Sequence, residues 1–544
     1  MSTPDWIILA ITLTGIIAYG IYKSSATRNL EGYFLSNRDM PWYLVLLSIM
    51  GTQASAITFL SAPGQAYTDG MRFVQYYFGL PVAMVVICIF FVPVFRRLNL
   101  YTAYAFLQER FDLKTRTLTS ALFLLSRGFS TGISIYAPAI ILSSLMGWNI
   151  YFTNLLMGGL VIIYTMSGGA RAVAYTQQLQ LFIIFAGMFL AGMMVVRMLP
   201  GEAGFRSALA VAGGEGKMNI ITTGFRPDGS FDWKDKYNIW SGLIGGFFLA
   251  LSYFGTDQSQ VGRYLTARTD RESKLGLLMN GIVKVPMQFL ILLIGILVFA
   301  FYQYHRAPVF FDQARVLRAE QTVYRDSLRI VEARYDAALA QHDSKACRQL
   351  RSQYKDYIRK ALPGDEANDT NFIFLRFVVD YLPRGLVGLL IAVIFLAAWG
   401  SIAAALNSLA ACTIVDFHHP FLGKHRNQRS AYRAAQGYTL AWGLFSVAVA
   451  FFAHNLGNSL IEAVNILGSL FYGVILGIFL VAFYLKKVRG HAVFTAALIS
   501  EAAVITIYLS DSLSFLWLNV AGALLVVLCS VVLEPLYRLI RWKT

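Results

Sequence analysis

Apolar runs of bilayer-crossing length recur along almost the whole 544-residue chain, and this recurrence limits the fold more than any motif does. A helix needs roughly 20 predominantly apolar residues to cross the hydrocarbon core of a membrane. Windows of that kind lie near residues 6–23, 41–66, 71–95, 117–146, 150–168, 175–199, 237–262, 274–303, 372–415, 429–453, 459–485, 490–510 and 513–537. The expectation is an all-α integral membrane protein with about 13 transmembrane helices, the lipid bilayer being its first partner. With 57% hydrophobic and 14% charged residues, a soluble fold is excluded.

The formal net charge of +16 would suggest nucleic acid in a soluble chain, so the placement of the cations decides its meaning. They fall in alternate loops. One set holds Lys23, Arg28 and Arg38, then Arg96, Arg97, Arg110, Lys114 and Arg116, then Arg171, then Arg263, Arg268, Arg271 and Lys274. It continues with Lys424, Arg426, Arg429 and Arg433, then Lys486, Lys487 and Arg489, then Arg538, Arg541 and Lys543. The short loops between, near Asp69, Trp148, His454 and Asp511, carry almost no Lys or Arg. The charge is therefore a topological signal and no nucleic-acid partner is expected. The positive-inside rule puts the basic set in the cytoplasm, the N-terminus outside and the C-terminus inside, in a plasma (inner) membrane. An odd number of spans requires the same arrangement. The residues before the first run include Asp5 and no Lys or Arg, unlike a cleavable signal, so residues 6–23 are expected to persist as an N-terminal helix. Cys88, Cys412 and Cys529 lie in apolar spans and Cys347 stands alone in a charged segment, which is neither a disulfide framework nor a metal cluster.

Two stretches leave the membrane on the side assigned to the outside. Residues 200–236 read as a loop, rich in Gly and mixed charge. Residues 305–371 form an insert whose run from Phe311 to Ala361 has no Pro or Gly and is dense in helix formers, so helices, arranged as a hairpin, are expected there. Its balanced charges suit a solvated cap over the outer mouth; a docking surface for an extracytoplasmic partner is the alternative.

No phosphate-binding loop, zincin motif or nucleophile elbow is present, which argues against an ATP-driven pump and against an enzyme. What stands out instead is polarity inside apolar spans. The second span carries Gly51, Thr52, Gln53, Ser55, Thr58 and Ser61 before Pro63 and Gly64; the seventh carries Gly242, Gly245, Gly246, Ser252, Gly255, Thr256, Asp257 and Gln258. Two interrupted helices in different halves point to a midplane site, since a helix break is tolerated in a membrane only where it lines a cavity. Freed carbonyls there suit a small cation, and half-helix N-termini suit anionic groups. Close packing through small residues is the competing explanation. The ninth span adds Ala397, Ala398, Trp399, Gly400, Ser401, Asn407 and Ser408, and Arg127, Lys284, Glu462 and Asn465 lie deep in other runs. An intramembrane charge is a functional candidate by default, because exposing it to lipid costs on the order of 3 kcal/mol or more.

The segments GTQASAITFLSAPGQAY (51–67), PVFRRLNLYTAYAFLQERF (93–111), SGGARAVAYTQQLQ (167–180) and YFGTDQSQVGRYL (253–265) resemble signatures of the sodium/solute symporter family, in particular of its bacterial sodium/sugar and sodium/sialic acid symporters. The resemblance implies a single membrane transporter domain over 1–544 with an inverted-repeat fold of five plus five helices broken at the midplane. Residues 41–199 would be the first repeat and 237–485 the second, with an extra helix at 6–23 and further helices at 490–540. It implies secondary active transport, sodium-coupled symport of a small organic solute such as a sugar or sialic acid, by alternating access. Proton-coupled or uncoupled transport, or a transporter-like sensor, are the alternatives. Matched to the family, the sodium ligands would be the carbonyls of Gly51, Ala54 and Ala397 and the hydroxyl of Ser401, while Gly400 lacks the second hydroxyl. The positions of a second sodium site hold Gln177, Ala403 and Ala404, which removes its ligands. Solute contacts would be Gln53, Ser55, Thr58, Gln75, Arg127, Tyr253, Lys284 and Asn465, with Tyr253 at the place of an aromatic inner gate. Ile57 and Thr58 replace the Glu-Gln pair of a galactose-type relative, and Arg127 sits about a turn from the carboxylate-binding arginine of a sialic acid type relative.

Overall fold

The structure, a computed structural model, describes residues 1–24, 30–98, 100–199, 204–341, 343–364, 367–423, 427–453 and 459–541, and their side chains except at 21, 23, 24, 30, 167–172, 540 and 541. The side chains of Lys23, Arg28, Arg171, Lys424, Arg426, His454, Arg541 and Lys543, singled out above, lie outside this set. Among the described residues the chain is helical and forms no β-strand, only two isolated bridges. Ten helices are long and apolar enough to cross a membrane, and three shorter apolar ones, Trp42–Gln53, Ile150–Met166 and Ser241–Gly255, accompany them.

Both helix breaks read from the sequence are present. Trp42–Gln53 stops at Ala54, whose φ/ψ of −79/80 leaves the helical region, and Ala56–Asp69 restarts after the extended Ser55. Gly246–Gly255 ends at Thr256, and Gln258–Tyr264 begins under a cap from Asp257, whose side chain accepts from the Ser259 N–H at 2.7 Å. Close approach through small residues holds the second half of the first broken helix. A Cβ at Gly64 would stand 2.0 Å from the Thr370 carbonyl oxygen, and one at Gly295 would stand 2.1 Å from that of Pro63. Ala56–Asp69 is thus wedged between Thr370–Tyr381 and Asp270–Tyr304 with no room for a side chain at either contact.

Two expected boundaries change. Residues 372–415 are two helices, Thr370–Tyr381 and Leu386–Cys412, parted at Pro383 and by the positive φ of Gly385. Helical backbone runs from Ile150 to Arg197, yet the Tyr164 and Thr176 hydroxyls meet at 2.5 Å. Twelve residues of straight helix would separate them by roughly 18 Å, so the chain doubles back between them. The 200–236 stretch is not wholly loop, since Phe205–Gly214 is helical.

The insert folds as Gln313–Ala319, Arg325–Ala340 and Ser344–Ala361, the last two packed as a hairpin. Leu328, Val331, Tyr335, Tyr354 and Ile358 form a small core of their own. Asp369, just before Thr370–Tyr381, ties the insert together: it accepts from Arg351 Nη2 and Lys355 Nζ, both at 2.8 Å, and from the Phe311 N–H at 2.9 Å. Burial alone would raise its pKa, but the two cations outweigh it and hold the carboxyl at about 2.

Contacts collect the basic loops at one end of the bundle. Arg38 donates to the Leu100 carbonyl, Arg96 to those of Ala267 and Arg268, Arg110 to that of Leu485 and Arg538 to that of Lys487. At the end bearing the insert, Asp5 Oδ1 accepts from the N–H groups of Gly385 and Gly388, and Lys234 pairs with Asp511.

Candidate functional site

The first break frees specific carbonyls. In an unbroken helix Gly51 would accept from Ser55 N–H and Ala54 from Thr58 N–H. Here Ser55 N–H turns to the Gln53 carbonyl and Thr58 N–H to that of Ser55, both at 3.0 Å. Gly51 and Ala54, two of the four expected sodium ligands, thus lose their helical donors. On Leu386–Cys412, Ser401 Oγ donates back to the Ala397 carbonyl at 3.0 Å, which sets the other two oxygens side by side. Gln177 lies over this region. Its Nε2 donates to the Gly400 carbonyl at 3.1 Å and to Thr52 Oγ1 at 3.3 Å, and its Oε1 accepts from Ser48 Oγ at 3.0 Å. An uncharged amide therefore links Trp42–Gln53 and Leu386–Cys412 to its own helix at a position of the second sodium site that the resemblance describes. At Gly400 a Cβ would stand 2.6 Å from Gln180 Oε1, so the Gln180 amide fills the space beside the missing hydroxyl.

Next to the same break lies a cavity of about 120 Å³. Gln53, Ser55, Thr58, Arg127, Tyr253, Lys284 and Asn465 all line it, so seven residues expected at the solute site come together. Gln75 does not join them. Its amide faces Thr222 and Tyr237, donating to the Tyr237 carbonyl and Thr222 Oγ1 at 3.1 Å and accepting from the Thr222 N–H at 3.2 Å, so it is turned away from the cavity. The cavity also has residues the sequence reading missed, chiefly Tyr76, Tyr77 and Tyr472. A tyrosine in an apolar span gives little signal, because its ring suits the membrane as well as a cavity.

The two cations of the cavity are held differently. Arg127 Nη2 is ion-paired with Asp257 Oδ2, which also accepts from Tyr472 Oη at 2.9 Å, and the guanidinium lies 5.3 Å from the Tyr253 ring centre. Asp257 Oδ1 takes the Ser259 hydroxyl at 2.6 Å. The partner that Arg127's burial requires is therefore a protein carboxylate. Lys284 is equally buried, but among the described residues it has no ion pair and no hydrogen bond, only the Tyr77 ring at 5.8 Å. Gln53 Oε1 is likewise buried without a partner there. Asn465 Oδ1 accepts from Tyr76 Oη at 3.1 Å, and Glu462, another buried charge noted above, is ion-paired with Lys236 outside the cavity.

Spans packed around a polar cavity at a helix break are the architecture of a secondary transporter. The profile of the sodium:solute symporter family matches residues 33–323 and 355–500. The chain belongs to that family. It is 25% identical over 542 residues to the sodium/sialic acid symporter NanT of Aliivibrio fischeri, covering 99% of this chain and 94% of that protein. It is also 25% identical to the sodium/sialic acid symporter SiaT of Proteus mirabilis, over 96% of this chain and 93% of that one. The human sodium/iodide cotransporter is 30% identical over 298 residues, 54% of this chain and 44% of that protein. A solved sodium-coupled sialic acid symporter in a substrate-bound, outward-open state shares the fold, with a TM-score of 0.78 at 23% identity over 98% of each chain. This symporter is a multi-pass membrane protein and not an enzyme, and it moves a small organic solute with sodium as the coupling ion.

Proposed function

We propose that this symporter imports a small sugar acid of sialic acid type across the plasma membrane. One observation carries the reading: the Lys284 amine, with no carboxylate of the described protein beside it, is buried at the wall of the central cavity. Burying an unpaired charge is costly. With Arg127 neutralised by Asp257, Lys284 is left as the group that can hold a proton against a solute carboxylate, so the cavity suits a monoanionic solute. The half-helix starting at Ala56 adds its positive N-terminal end at Ser55 and Thr58. Gln53 and Asn465 supply amides for hydroxyl groups, and the Tyr253 and Tyr77 rings flank an apolar face of a sugar ring. Near full-length similarity to NanT and SiaT supports the same solute class.

Sodium is bound by the freed carbonyls of Gly51 and Ala54, the Ala397 carbonyl and Ser401 Oγ, with Gln180 Oε1 in place of the absent hydroxyl at 400. The two ions thus use opposite ends of one broken helix, the cation its carbonyl end and the solute its N–H end. Residues 41–199 and 237–485 are the inverted repeats of a fold with about 13 crossings, Trp42–Gln53 and Ala56–Asp69 together making one of them. The end that gathers the basic loops faces the cytoplasm with the C-terminus, and the N-terminus and the 305–371 insert face outward. The test is uptake of labelled N-acetylneuraminate into proteoliposomes under an inward sodium gradient, with galactose as the uncharged comparison. Sodium-stimulated uptake of the acid is expected. Uptake of galactose in preference to the acid would overturn the reading.

A further inference from the structure

A second hollow, of about 340 Å³, lies between the insert and the spans. Tyr67 and Thr68, at the far end of the half-helix whose first residues line the central cavity, form part of its wall. Nine residues of helix, from Thr58 to Tyr67, put the two hollows roughly 14 Å apart along that axis. Its charged lining is strongly unbalanced. Lys217, Arg348, Arg351 and Lys355 face it, against Glu215 alone. Glu215 is bound to Arg348 at 2.7 Å, Arg351 and Lys355 share the single carboxylate of Asp369, and Lys217 donates to the Thr68 carbonyl. Asp69, next to Thr68, also acts on Lys217, so four cations meet three carboxylates and one positive charge is left over. Aromatic faces stand beside them: Lys217 lies 5.3 Å from the Phe299 ring centre and Arg351 5.7 Å from that of Tyr67.

We infer that this hollow is a second binding site for the anionic solute, an outer waiting position from which the solute passes to the central cavity. Cationic heads against aromatic faces, with the Ser344 and Ser352 side chains on the same wall, suit a carboxylate carried on a polyhydroxylated ring. The family profile skips residues 324–354, and Tyr335, Cys347, Arg348 and Arg351 all come from that stretch. The insert thus closes one wall of the site, while Tyr67, Lys217 and Phe299 on the other wall belong to residues the profile matches. The inference rests on the proposed sugar-acid reading and on the insert facing outward.

Cys347 lines the hollow and reports on it directly, because Cys88 and Cys412 are buried and Cys529→Ser removes the remaining partly exposed thiol. In that background the full-length protein is labelled with an anionic (sulfonatoethyl) or a cationic (trimethylammonioethyl) methanethiosulfonate, each rate taken relative to free cysteine. The anionic reagent is expected to be favoured by about threefold or more, the modest bias of an exposed field, and the bias should vanish in Lys217→Gln/Arg348→Gln. N-acetylneuraminate is expected to slow Cys347 labelling in the wild type and equally in Lys284→Met. In Lys217→Gln/Arg348→Gln the protecting concentration should rise about tenfold, the usual consequence of lost charge-assisted hydrogen bonds. The inference is overturned if no reagent bias exists, if protection disappears in Lys284→Met, or if sodium sulfate protects as well as the sugar acid. Failed uptake of N-acetylneuraminate would count against the central-site reading, whereas a missing reagent bias would count against the outer site alone.

Discussion

At one side of the central cavity Arg127 is bound to Asp257 and Tyr472, whereas Lys284, as deeply buried, has only the face of Tyr77 beside it. Sequence alone offers both as candidates, as charges inside apolar spans. Their surroundings separate them. A buried charge whose partner is in the protein works as a tie between helices, here between Leu113–Met146 and the turn before Gln258–Tyr264. A buried charge without one has its hydrogen bonds still to make, and a ligand can supply the acceptor.

The largest effect expected from this contrast is on stability. Asp257→Asn leaves Arg127 buried without its carboxylate, and thermal unfolding in detergent should show a loss of about 3–5 kcal/mol. Lys284→Met removes a charge that nothing in the described protein balances, so the unfolding midpoint should hold or rise. Equal destabilisation by both substitutions would break the distinction. Solute affinity should respond the other way: Lys284→Met weakens N-acetylneuraminate binding by about ten- to a hundredfold, the value of one charged hydrogen bond, read by titration calorimetry.

Asp369 carries the contrast outside the membrane, where Arg351 and Lys355 make it a structural tie. Its pKa of about 2 in the fold lies below the ordinary 3.8. A depressed carboxyl stabilises the fold above its unfolded pKa and loses that contribution as pH falls through the folded value. The insert should therefore be insensitive to pH above about 4 and lose roughly 2 kcal/mol of protection between pH 4 and 2, measured by hydrogen exchange in Ser344–Ala361. Asp369→Asn should remove that pH dependence.

The smallest change is expected at the sodium ligands, where a neutral oxygen is lost and no net charge is at stake. Ser401→Ala and Gln180→Ala should each lower apparent sodium affinity about fivefold, on the order of 1 kcal/mol, in sodium titrations of uptake. Gly400→Ser should recover affinity in the Gln180→Ala background. Sodium curves unchanged by both single substitutions would move the ion site elsewhere.

Much of this arrangement was legible because membranes penalise polar groups so heavily. Gly51 to Ser61 and Gly242 to Gln258 announce the two breaks, and Arg127 and Lys284 announce a polar interior, before any contact is known. Pairing across distance was not legible. Arg127 and Asp257 are 130 positions apart, and nothing local says that Asp257 turns to Arg127 while Lys284 stays alone. Gln75 fails for a similar reason, since its partners are Thr222, in a stretch read only as loop, and Tyr237, at the start of the next apolar run. The division at Leu382–Gly385 did have a signal, Pro383 and Gly385, but averaging hydropathy over the long apolar run hid it.

The central claim is that Lys284, and not Arg127, provides the counter-charge for the solute's carboxylate. Sodium-driven uptake in proteoliposomes tests it when N-acetylneuraminate is compared with its uncharged methyl ester in the wild type and in Lys284→Met. The wild type should prefer the acid by about tenfold or more, as for a charge-assisted hydrogen bond, and Lys284→Met should take up acid and ester alike. A Lys284→Met protein that keeps the full preference for the acid would contradict the claim and return the carboxylate to Arg127.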